Sequence, residues 1–208
     1  MSTLAELRDT IEADLKDSGN AIWSTAELDH HIRHALRAYS AVDPQRLAAV
    51  VACTVDEREY ALSDISGALI DVTDVWFPYD AAAPEYPPRR PPWSLLNGAL
   101  YLEAVLAPEA GESLRVFYTA PHTLSGLDSA SATTLDAAGE QVVALLAEAY
   151  AAFQYGASTI NTVTASGWTP RHLREWAADR LALAQQELES IRTRRIRQQD
   201  TRTHWPLE

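Results

Sequence analysis

Between Leu135 and Gln199 apolar residues recur at alternating steps of four and three, the period of a helix with one sticky face. Val142, Leu146, Ala149, Phe153, Gly156, Ile160 and Val163 make one stripe, and Leu173, Ala177, Leu181, Ala184, Leu188 and Ile191 make a second. Ser166-Gly167-Trp168-Thr169-Pro170 separates them: a glycine stop, a threonine N-cap and a proline where the first helical turn tolerates one. The pattern predicts helices over 136–165 and 170–199 that pair as an antiparallel hairpin. Ala149, Gly156, Ala177 and Ala184 would let the two approach closely.

The N-terminal end repeats the design on a smaller scale. Thr3 with Glu6 and Ser24 with Glu27 are capping boxes. The stripes Leu4, Leu7, Ile11, Leu15 and Leu28, Ile32, Leu36, Tyr39 follow them, predicting helices over 3–18 and 25–41. Ile22 or Trp23 is the candidate staple for the second. Asp43-Pro44 ends this pair.

From Pro44 the period changes to two. Leu47, Ala49, Val51, Cys53 and Val55 point one way and Ala48, Val50, Ala52 and Thr54 the other. A turn at Asp56-Glu57-Arg58 leads to a return strand from Tyr60, and 63–67 is a loop or a helical turn. In 69–77 the alternation slips between Val72 and Val75, the signature of a bulge. A proline-rich loop occupies 78–92. Asn97-Gly98 fits the two positive-φ positions of a type I′ hairpin turn, and Leu114, Val116 and Tyr118 form a last strand. The fold class expected is α+β: a mostly helical domain over 1–200 with a small antiparallel β-meander inserted at 46–120, and an arm at 201–208.

Composition then narrows the function. The formal net charge is −12, which argues against a phosphate-gripping nucleic-acid coat and suits a surface that DNA should pass without sticking. The charge is uneven: from Thr169 onward eight arginines face six acidic residues. Lys16 is the one lysine, so the cations are guanidinium groups, suited to planar contacts with carboxylates; a GC-rich coding sequence produces the same bias. Cys53 stands alone, excluding a disulfide framework. No signal peptide and no apolar run of membrane-spanning length is visible, so a protein made in a cytoplasm, with no membrane association, is expected.

The candidate chemistry is thin. His30 and His34 lie one turn apart and could share a metal, but no third ligand or general base stands at recognisable spacing; solvated histidines are the expectation, and no metal or cofactor is predicted. His122 is expected to make a local hydrogen bond. No nucleophile elbow, phosphate loop or dinucleotide fingerprint is present, so an enzyme is not expected. Two groups of residues fit binding better than folding. Arg192, Arg194, Arg195 and Arg197 surround Ile196 where the last stripe has stopped, and Trp205, Pro206 and Leu207 follow in a tail that either docks on a neighbour or folds back. The segment with Phe77, Tyr79, Tyr86, Arg89, Arg90 and Trp93 is the second.

Three stretches in this order resemble the head-to-tail connector adaptor proteins of tailed bacteriophages. They are TLAELRDTIEADLKDSGNAIWSTAELDHHIRHALRAYS; ALIDVTDVWFPYD followed by AGESLRVFYTAPHTL; and VALLAEAYAAFQYGAS with the long final helix. The resemblance implies a virion protein in the head–tail neck, a ring of twelve copies bound beneath the portal protein. Genomic DNA would pass through the lumen unbound, and a downstream neck or tail protein would follow. It implies that the C-terminal segment contacts the portal, so Arg192, Arg194, Arg195, Ile196, Arg197, Trp205, Pro206 and Leu207 are expected to face it; Phe77, Tyr79, Tyr86, Arg89, Arg90 and Trp93, which the pattern within the chain leaves unexplained, are expected to meet a neighbouring subunit or the tail. Another neck component, a head-completion or tail-proximal ring protein, is the rival reading; a DNA-binding regulator is the rival from another class.

Overall fold

Both N-terminal capping boxes form. The Thr3 and Ser24 hydroxyls accept from the Glu6 and Glu27 amides at 3.3 Å, and the two glutamates reach back to the Thr3 and Ser24 amides at 2.7 and 2.8 Å. They start α1 (Leu4–Leu15) and α2 (Thr25–Val42). The computed structural model describes residues 2–17, 19–103, 107–158 and 170–200, the last three by backbone alone. The expected Gly167 stop, the Thr169 cap and the arm at 201–208 lie outside the described residues, as do Ile160 and Val163.

Between α1 and α2 the chain is knotted around one carboxylate. Asp17, buried, accepts the amides of Ala21, Ile22 and Trp23 at 2.9, 3.0 and 2.9 Å. Of the two candidate staples, Trp23 is buried and Ile22 exposed. Trp23 reaches α4 (Ala137–Ser158), where its indole N–H donates to the Ala151 carbonyl at 3.2 Å.

α4 is the axis of the helical unit. Helices α1, α2 and α5 (Pro170–Asp200) all pack on it. Val142 through Ala149, Ala151, Ala152 and Gly156 are therefore buried, more than the single stripe expected. A helix apolar all round belongs in the middle of a bundle. α5 buries one seam only: Ala177, Ala184 and Ile191, seven apart, with Leu181 and Leu188 half-buried between them. Gly139 allows α4 to start where it does, because a Cβ there would sit 2.8 Å from the Tyr39 hydroxyl.

The α+β class holds, and among the described residues those of 44–121 form a compact unit of their own, distinct from a helical unit built of those in 2–43 and 122–200. The inserted strands depart from the expected meander. β1 (Gln45–Ala52), β6 (Ser113–Ala120) and β3 (Asp71–Trp76) make one sheet in the order β1-β6-β3. β2 (Glu59–Ala61), β5 (Ala99–Leu102) and β4 (Trp93–Leu96) make another in the order β2-β5-β4. The physical reason is length: β1 and β6, eight residues each, pair over their full extent from Gln45↔Ala120 to Ala52↔Ser113. A neighbour in sequence would have left half that ladder unbonded. Where a loop or a helical turn is expected over 63–67, the chain forms the one-turn helix α3, Leu62–Ile65.

The local signals inside the insertion are met. The pairing of β3 with β6 shifts between Val72 and Asp74, the expected bulge. Asn97 and Gly98 both take positive φ, 52° and 79°, joining Leu96 to Ala99. Val72, Val75, Phe77, Leu100, Leu102, Leu114, Val116 and Tyr118 fill the core of this unit.

Candidate partner-binding surfaces

The end of α5 divides its arginines by helical geometry. The seam positions 177, 181, 184, 188 and 191 advance by alternating fours and threes, and the next step lands on Arg195. Its guanidinium accordingly turns inward and pairs with Asp43, the C-cap of α2. Asp43 also accepts the Tyr39 hydroxyl at 3.0 Å. Arg192, Arg194, Ile196 and Arg197 are exposed, with Ile196 at 51%. Arg192 makes a loose pair with Glu189 at 3.8 Å, both side chains largely in solvent, a contact of small energetic weight. Arg195 is thus spent within the helical unit and the other three present outward. Trp205, Pro206 and Leu207 lie outside the described residues.

The segment from Phe77 to Trp93 is likewise sorted. Phe77 is buried in the core of its unit. Trp93, on β4 opposite Leu102, half-buries against the same core. Arg89 pairs with Glu85 at 3.0 Å and Arg90 with Asp74 at 3.1 Å. Tyr86 is 83% exposed. Tyr79 joins a cluster on the outer face of the β1-β6-β3 sheet: Arg115 donates to its hydroxyl at 3.1 Å and lies 5.4, 5.1 and 4.9 Å from the Trp76, Tyr79 and Phe117 ring centres. The Trp76 indole donates to Asp74 at 2.8 Å. This cluster holds the start of the proline loop over the sheet, and beside it a cleft of about 630 Å³ opens between Val50, Glu112 and Ser113 on one side and Pro78 to Ala83 on the other.

The helical unit contains a polar site that the sequence reading passed over. Glu148 is 1% exposed in the middle of α4. Its carboxyl lies 3.3 Å from Arg180 Nε of α5, and the same guanidinium reaches Asp14 of α1 at 3.7 Å while stacking on Trp176 at 4.9 Å. Burial pushes the Glu148 pKa up to about 8; Arg180 opposes the rise and the nearby Asp14 adds to it. At neutral pH it is a carboxylic acid, and a cleft of about 290 Å³ lined by Ser2, Thr10, Asp14, Glu140 and Arg180 leads to it. The signal available beforehand was a lone acid inside VALLAEAYAA.

The histidines also resolve. His30 and His34 are exposed as expected, whereas His31 beside them is buried, and desolvation holds its pKa below the usual value. His34 stacks on Tyr150, ring centres 4.3 Å apart. Among the described residues no three His, Cys, Asp or Glu side chains converge as metal ligands. His122 makes the local bond expected of it: Nδ1 lies 3.1 Å from both the carbonyl and the hydroxyl of Thr134. No described helix is long and apolar enough to cross a membrane.

No protein-family profile matches the chain, and no curated protein matches it. Solved structures do. A chain in the neck of an empty GTA particle, computed with C6 symmetry, is 20% identical with a TM-score of 0.29, over 84% of this chain and 87% of that one. A chain in the neck of a native GTA particle, computed with C12 symmetry, is 17% identical with a TM-score of 0.30, over 84% and 86%. A chain in the virion of a native gene transfer agent particle is 22% identical with a TM-score of 0.27, over 83% and 86%.

Proposed function

We propose that this chain is a structural protein of the head–tail neck of a tailed-phage-type virion, an adaptor that forms a ring beneath the portal, extends the DNA channel and joins head to tail. The observation that carries the reading is the far end of α5. Its inward seam closes with Ile191 and Arg195, while Arg192, Arg194, Ile196 and Arg197 stand exposed around it. Guanidinium groups around an aliphatic side chain suit an acidic and apolar groove on a partner, and the helix presenting them is seated in a packed bundle. The order of helix pair, β-rich insertion and long helical pair agrees with the connector resemblance. The net charge of −12 suits a ring through which DNA slides. Tyr86 and the loop around Arg89 and Arg90 are assigned to a neighbouring subunit or the next tail component, and Trp205, Pro206 and Leu207 to the portal.

The test is the mass of the purified protein alone and mixed with its portal, by light scattering. A ring of many copies on the portal, twelve by the family's habit, is the expected result. R192E/R194E/R197E should abolish it without unfolding the protein, as should deletion of 201–208. Normal portal binding by both variants would overturn the assignment of this end, and failure of the wild type to assemble with portal would overturn the adaptor reading.

A further inference from the structure

The two edges of the β1-β6-β3 sheet are built differently. On β3 several devices that discourage strand addition are present. The bulge lies between Val72 and Asp74, Asp71 and Asp74 are on the strand, and the Phe77 amide just beyond it is taken by the Arg89 carbonyl at 3.1 Å. On β1 none is. Its eight residues, QRLAAVVA, contain no proline, no lysine and no acid, and Arg46 is its one charge. Its register with β6 runs unbroken. Arg46, Leu47, Ala48, Val50 and Ala52 are exposed, Val50 at 52%.

The parity of the strand says which groups are free to pair. The Cys53 amide donates to the Glu112 carbonyl at 2.9 Å, one step beyond the Ala52↔Ser113 pair. Odd-numbered residues of β1 therefore bond β6, and the amides and carbonyls of Arg46, Ala48, Val50 and Ala52 face away from it, at the end of the sheet.

We infer that β1 pairs with β1 of a second copy of this chain, antiparallel about a two-fold axis through Ala49. Three observations select this occupant. Among the described strands only β1 and β6 are eight residues long, and β6 is already paired on both sides; a full-length ladder requires another β1. The register is self-complementary, because Arg46 meets Ala52 and Ala48 meets Val50, so all four outward residues bond in hydrogen-bonded pairs. On the other face Leu47 meets Val51 and Ala49 meets itself, small and aliphatic throughout, with no like charges opposed. Finally, neither strand carries a carboxylate, so the ladder itself opposes no acidic side chains. An isologous contact of this kind closes at two copies and consumes the edge, which protects it from open-ended growth. The inference does not rest on the portal reading: neighbours in a cyclic ring meet through heterologous contacts, so the two-fold pair describes the free protein and separates before a ring forms.

Sedimentation equilibrium on the full chain should give a dimer that dissociates on dilution. Val50→Pro removes an outward amide only, which an edge strand tolerates, and should weaken the dimer at least tenfold while leaving circular dichroism and the thermal midpoint near wild type. A48K/V50K, opposing like charges across the axis, should do the same and covers the case in which the proline variant fails to fold. A49C in a C53S background should cross-link to a covalent dimer on mild oxidation, and T73C in that background on β3 should not. A monomeric wild type, or a dimer untouched by both edge variants, overturns the proposal. So does an A49C variant that dimerises but does not cross-link, which would assign the edge to a different strand. Portal binding is read separately: retained by the edge variants, it leaves the adaptor proposal standing whichever way the dimer experiment falls.

Discussion

α4 and α5 run along each other in one unit, yet they are held by opposite means. α4 is covered by α1, α2 and α5 and buries almost every residue from Val142 to Ala152. α5, 31 residues and about 46 Å long at ~1.5 Å per residue, buries Ala177, Ala184 and Ile191. Its other anchors are two arginines: Arg180, which pairs with Asp14 beside the buried Glu148 carboxyl, and Arg195, which pairs with Asp43. One helix is positioned by the hydrophobic effect, the other by a thin seam pinned by charge. A helix of the second kind keeps most of its surface for partners, and its seating depends on pH and on single residues.

The comparison breaks most visibly in the core. Leu146→Ala should cost about 2–5 kcal/mol in urea denaturation, the usual range for truncating a buried leucine, whereas Leu183→Ala on α5, 50% exposed, should stay within ~0.5 kcal/mol. Equal costs would mean that the two helices are held alike.

Next comes the acid between them. Glu148 has its folded pKa raised from 4.5 to about 8, so between those values the folded state keeps a proton that the unfolded chain releases. Its stabilising contribution is full below pH ~4.5 and is lost as pH rises through about 8, at a slope approaching ~1.4 kcal/mol per pH unit at most. Denaturation midpoints measured from pH 5 to pH 9 should fall in the wild type and flatten in Glu148→Gln. An unchanged slope in the variant would assign the pH dependence elsewhere.

Arg195→Ala should cost about 1–2 kcal/mol. A partner lost from a fully buried pair leaves a stranded charge worth ~3–5 kcal/mol, and the Arg195 side chain is 25% exposed, so water recovers part of it. Arg195→Met, which keeps the apolar stem but not the charge, should be no better, since Asp43 stays unpaired. Smallest is the effect on stability of R192A/R194A/R197A, within ~0.5 kcal/mol in the same assay. A large loss there would show that the outward arginines serve the fold.

How much of this was legible follows from range along the chain. Thr3 with Glu6, Ser24 with Glu27 and Asn97-Gly98 act within four residues, and each formed as its spacing dictates. The bulge near Val72 showed as a slip in a period of two. The candidate surfaces were half legible. The arginines past Ile191 stood out because the stripe stopped, but Arg195 occupies the next seam position, and counting on by four would have turned it inward. Phe77 was placed on a surface because of the prolines after it, although it continues the alternation of a strand whose Val75 is buried.

What the sequence by itself determined is the class of each segment: where helices begin, where the period changes from 3.6 to two, where a turn takes positive φ, and a charge that disfavours binding nucleic acid. These are settled by backbone sterics and by hydrogen bonds between near neighbours. Only the tertiary structure decided which strand pairs with which, that α4 is covered on all sides, that Glu148 is an acid held neutral by burial, and that β1 is left with an undefended edge. Those outcomes depend on which distant surfaces exclude water from one another. Apolar burial has no direction of its own, so the pattern along the chain names the faces to be buried without naming their partners.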